Sequence, residues 1–187
     1  MKQYLIFCLA SIICFSSCQE KQKEGVAILN LDVEKTVIKN GVLFYNNVSF
    51  TGETINYDAI NKTKNNVVYV NGKKDGIAKK WFLNGSLAEV RHYKNGLKVG
   101  MHQSWWENGN KKFVYYFNDN GAYEGNVRDW YTNGQLFKNF NYKNGKESGI
   151  QQMWQSTGKI RANYNVVHGD RYGLIGLKKC ATVTILE

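Results

Sequence analysis

The chain has 187 residues, a formal charge of +10, four cysteines and no proline. That length suits one domain of ordinary size, with a short apolar start that does not belong to it. The charge is uneven: residues 72–95 carry a net +4, whereas 48–71 sum to zero.

Lys2 supplies a short positive segment, and Leu5 to Phe15 is almost wholly apolar. A helical bilayer span needs about 20 residues, so this run has the length of a signal-peptide core. Phe15-Ser16-Ser17-Cys18 then places two small residues before a cysteine. The tetrapeptide resembles a lipobox, although Phe15 stands where leucine is usual. The resemblance implies removal of 1–17 and acylation of Cys18, with palmitate-type chains as a lipoprotein anchor. An ordinary secretory signal cut nearby is the alternative. Cys8 and Cys14 fall in the expected leader, so Cys180 alone would remain as a free thiol and no intrachain disulfide is available.

Residues 18–47 read as the lipidated start, a charged tether and lead-in strands at Val26 to Leu31 and Val42 to Tyr45. These strands are expected to cover the open edge of a sheet.

From there the chain repeats itself. Trp81, Trp105, Trp130 and Trp154 recur every 24 or 25 residues. Three glycine columns keep step with them: Gly76, Gly100, Gly125 and Gly149; Gly85, Gly109, Gly134 and Gly158; Gly72, Gly96, Gly121 and Gly145. The units are 48–71, 72–95, 96–120, 121–144 and 145–168, with a partial copy over 169–176 and a capping strand within 177–187 (Cys180 to Leu186).

Each unit reads as a hairpin. One strand runs up to the Trp, as in Ile77 to Phe82, and Asn84-Gly85 turns the chain. The second strand follows, as in Leu87 to Tyr93, and Asn95-Gly96 turns it again. Asn-Gly is a strong hairpin signal, because both residues tolerate positive φ. No 3.6-residue apolar period is present. The predicted fold is therefore all-β, an elongated single sheet of hairpins of about 24 residues each.

Alternation along a strand sorts the side chains. Trp81, Trp105, Trp130 and Trp154 share a face, with Tyr57 ending the column. They are expected to form a stacked core, with Leu87, Leu136 and Ile160, and then Tyr93, Phe117 and Tyr142, filling the gaps. The next residue in each unit points the other way: Asp58, Phe82, Trp106, Tyr131 and Gln155. A column aromatic in only three copies reads either as a binding surface or as a shield for the back of the sheet. The binding reading takes Phe82, Trp106 and Tyr131, flanked by Lys80, Lys112 and His102. His92 and His102 are expected at the surface on the Trp106 side.

The repeats resemble MORN repeats, in the bacterial variant of the YwqK-like proteins. The matching residues are Gly72-Lys-Lys-Asp-Gly76, Trp81-Phe-Leu-Asn-Gly85 and Tyr93-Lys-Asn-Gly96, with later counterparts over residues 48–176. The resemblance implies membrane contact, scaffolding or dimer formation. Its YwqK label implies an antitoxin that binds a protein toxin.

Catalytic constellations are not apparent. The histidines lack ligand spacing, and the glycines recur too far apart for a phosphate loop. The reading is a non-catalytic, anchored binding protein of the cell envelope, at the outer membrane, without cofactor or metal. Its partner would be a protein, a glycan or an anionic surface, and not nucleic acid. An antitoxin or immunity protein and an envelope spacer are the alternatives.

Overall fold

A computed structural model of the protein describes residues 27–176. The expected leader, Cys18, the tether and the strand over Cys180 to Leu186 lie outside the described residues.

The strands are, in chain order, β1 (Ile28–Asn30), β2 (Thr36–Lys39), β3 (Val42–Tyr45), β4 (Val48–Ser49), β5 (Gly52–Asp58), β6 (Thr63–Val70), β7 (Lys73–Phe82), β8 (Leu87–Lys94) and β9 (Leu97–Lys98). They continue with β10 (Gly100–Trp105), β11 (Lys111–Phe117), β12 (Gly125–Trp130), β13 (Leu136–Lys143), β14 (Lys146–Glu147), β15 (Gly149–Trp154), β16 (Ile160–Val167) and β17 (Asp170–Leu174). Among the described residues there is no helix. Successive hairpins β5–β6, β7–β8, β10–β11, β12–β13 and β15–β16 lie side by side in one open sheet, and β17 pairs with β16. All pairings in it are antiparallel except β1 against β5. The hairpin array anticipated from the period is present.

The lead-in differs in part. Strand β1 does cover the first edge, but Val42–Tyr45 joins β2 and β4 in a separate three-stranded sheet. That small sheet is fastened to the array through Gly72, whose carbonyl accepts from the Leu43 amide at 2.8 Å. Leu29, Leu43, Phe50 and Tyr69 close a buried cluster at this junction.

Two kinds of turn join the strands. At Asn71-Gly72, Asn95-Gly96 and Asn144-Gly145 both residues have positive φ, as the two-residue turn requires. At Asn84-Gly85, Asn108-Gly109 and Asn133-Gly134 only the glycine does. There the asparagine side chain accepts from the amide two residues on, at 2.9 Å for Ser86, 3.1 Å for Asn110 and 3.0 Å for Gln135. This is the local side-chain bond that stabilises Asx turns. Asp119, the extra residue of the 25-residue unit, makes Asn118–Ala122 a turn of this second kind, with the Ala122 carbonyl accepting from Asn118 N at 2.9 Å.

A β-bulge recurs beside each tryptophan. Lys80 pairs with Glu89, yet Trp81 pairs with Leu87, so Ala88 is left over. The same shift follows Ser104, Asp129 and Met153. A bulge reverses which face the following residues occupy. Two expectations are corrected by it. Tyr93, Phe117 and Tyr142 do not fill gaps between the tryptophans; they lie on the opposite face, because Tyr93 pairs with Gly76 and Tyr142 with Gly125. Nor is the tryptophan column the buried core. All four indoles are half-buried and Tyr57 is exposed, whereas Thr54, His102, Val127, Gln151, Phe117 and Val166 on the other face are buried. The tryptophans do share one face, sheltered by Leu87, Leu136, Ile160 and the Lys111 stem, whose amine lies 5.9 Å from the Trp130 ring centre.

Candidate functional site

The residue after each tryptophan returns to the core side, at its turn-bearing end. Trp106 stands here as a wall between two grooves. One, of about 300 Å³, includes Lys80, Phe82, Ser104, Trp105 and Lys112 in its lining. The next, of about 390 Å³, includes Lys112, Tyr115, Trp130, Tyr131 and Phe137. The Lys112 amine sits 4.5 Å from the Trp106 ring centre, a cation–π distance. Lys112 occupies the bulge and is exposed, so its amine lies over the indole at the surface.

The ring heteroatoms have structural partners. Trp106 Nε1–H donates to the Trp130 carbonyl at 3.1 Å, and the Tyr131 hydroxyl donates to the Trp154 carbonyl at 3.0 Å. Asn108 and Asn133 repeat the pattern on the carbonyls of Thr132 and Ser156. Side chains of one unit thus hold backbone of the next. Each such bond between neighbouring units contributes to the nearest-neighbour term that stabilises a repeat array.

The second groove has a polar floor. Asp129 accepts from the Tyr115 hydroxyl at 2.5 Å and pairs with Lys138 at 2.5 Å. Burial, and then the Asp129 carboxylate, push the Tyr115 hydroxyl far above its ordinary value. Tyr115 is consequently held as the donor to Asp129.

The family model described as the MORN repeat variant matches residues 74–95 and 123–144, equivalent stretches of the second and fourth hairpins. The chain carries MORN repeats. No curated protein matches the sequence.

Of the six residues singled out, the MORN array brings Lys80, Phe82, Trp106 and Lys112 to one groove, and Trp106, Lys112 and Tyr131 to the next. His102 is a correction. It is 1% exposed, and it lies between the rings of Tyr93 and Phe117, with centres at 5.6 and 4.6 Å. Its Nε2–H donates to the His92 carbonyl at 2.8 Å. Burial holds its imidazole below the usual pKa, opposed by that bond and assisted by Arg91 and Lys98. His92 is corrected too: the bulge sends it to the tryptophan face, half-buried, with Nδ1 2.7 Å from the Met101 carbonyl oxygen.

Sequence reasoning missed the charged floor of the core face: Glu89, Arg91, Tyr115, Asp129 and Lys138. Arg91 donates to Glu89 at 2.8 Å within one strand. Their i, i+2 spacing was the available signal, since it puts both on one face.

Proposed function

We propose that the protein is a non-catalytic, lipid-anchored binding module of the bacterial cell envelope, of the YwqK-like kind, whose MORN array presents the Phe82–Trp106–Tyr131 grooves to an extended protein or glycan. The single supporting observation is the position of Trp106. One indole walls two adjoining concavities, with an exposed lysine over its face. Aromatic walls with a few polar groups suit recognition. Cys18 supplies the anchor in this reading, and the outer membrane is its address.

The test uses the full-length protein in cells. Among the described residues Phe82 and Lys112 make no side-chain hydrogen bond between units, so Phe82→Ser with Lys112→Ser changes the grooves and leaves the Trp106 and Tyr131 ties. Envelope partners crosslinked to wild type should be lost from the double variant at unchanged thermal stability. Retention of every partner would remove the grooves from the proposal. Fatty-acid labelling should vanish in Cys18→Ser; an unlabelled wild type would refute the anchor.

A further inference from the structure

The core face carries a third concavity, between the first two hairpins, which shares Lys80 and Glu89 with the first groove. It encloses about 290 Å³ and is lined by residues of both, among them Asn56, Asn65, Lys74, Lys80, Glu89, Arg91 and Tyr93. Four cations, Lys79 among them, meet one carboxylate there. That carboxylate is committed: Glu89 accepts from Arg91 Nη2 at 2.8 Å. Among the described residues neither Lys74 nor Lys80 forms an ion pair. Lys74 is half-buried, with its amine 5.3 Å from the Tyr93 ring centre. Burial, and then Arg91 and Lys80, hold that amine below its ordinary pKa. A charged group so placed is stabilised by an anion that replaces lost water.

The neutral groups narrow the class of anion. Asn56 and Asn65 face each other across β5 and β6, and among the described residues the only side-chain bond of either amide is the one Asn65 Oδ1 accepts from Thr63 at 3.5 Å. Each amide offers two donors and an acceptor, the complement a row of hydroxyls needs. Phosphate has no such row and would leave most of the space empty. We infer that this cleft binds a hexuronic acid residue of an acidic glycan, its carboxylate between Lys74 and Lys80, its hydroxyls on Asn56 and Asn65, and its ring beside Tyr93. The inference goes beyond the groove reading and stands or falls without it.

Calorimetric titration of the purified full-length protein tests it, with a uronic-acid trisaccharide, its methyl-esterified neutral counterpart and inorganic phosphate as probes. The acid should bind, the ester should not, and phosphate should bind more weakly than the acid. Lys74→Gln should weaken acid binding about ten-fold or more, as expected for a lost charged hydrogen bond, at an unchanged melting temperature. Lys74→Arg should retain it, and Lys94→Gln, outside the cleft, should bind as wild type. No binding of the acid, equal binding of the ester, phosphate binding as tight as the acid, or a Lys74→Gln titration like wild type would each overturn the assignment.

Discussion

The indole of Trp106 donates to the backbone carbonyl of Trp130 at 3.1 Å, joining two residues at almost the same place in consecutive units. The bond makes a groove wall part of the scaffold, so the site and the array are coupled. Phenylalanine at 106 keeps a ring and removes the donor. Trp106→Phe should lower stability by about 1 kcal/mol, the net worth of such a bond, measured by urea unfolding. An unchanged midpoint would place the indole outside the array's cohesion.

Two glycines separate conformational strain from crowding. Gly72 and Gly85 have φ of 74° and 84°, where a side chain is strained in either case. A Cβ at Gly85 would meet nothing within 4 Å; at Gly72 it would meet Val42 and stand 2.6 Å from the Leu43 carbonyl oxygen. Gly85→Ala should therefore cost about 1 kcal/mol. Gly72→Ala should cost clearly more and raise hydrogen exchange at the Leu43 amide, since the small sheet must move off.

His102 gives the protein an acid-sensitive component. Its folded-state pKa lies below the unfolded value, about 6.5 for histidine. Above that value both states are neutral there and the residue adds no pH dependence. As pH falls below it, the unfolded chain takes up a proton that the folded chain resists, so stability declines until the folded pKa is passed. Melting temperature should drop on acidification through that window. The slope should be shallower in His102→Phe, whatever that variant's stability at neutral pH.

Asp119 is the inserted residue of the longer unit. Its deletion should be tolerated, because Asn-Gly at the equivalent point of the neighbouring units forms the tighter turn. Circular dichroism should remain that of an all-β chain, with a stability change within about 1 kcal/mol of wild type, as for a surface change that leaves no buried group unpaired. Loss of the fold would mean that the Asn118 turn is needed for the register of β11 with β12.

Much was legible because it is local. The 24-residue recurrence, the Asn-Gly punctuation and the strand alternation between turns identify the hairpins and their order, and place the four tryptophans on one face. Lys80, Phe82, Trp106 and Lys112 also meet as the repeat phase implies.

The expected side-chain faces failed at one place, the bulge beside the tryptophan; the lead-in failed separately, because Val42–Tyr45 pairs with β2 and β4. Counting by twos from Leu87 puts Tyr93 with Trp81, and the count is valid until a residue drops out of the ladder. Whether one drops out depends on how β8 docks on β7 and on β10. The sequence by itself determined the repeat, the strands and their succession, through turn conformations and hydrophobic alternation that need no distant partner. The tertiary structure alone decided which face is interior, that His102 is buried in it, and that Lys74 and Lys80 share a cleft whose carboxylate, Glu89, is bonded to Arg91. The reason is that register is a relation between strands, and a single unpaired residue beside each tryptophan turns over the side chains of the strand that follows it.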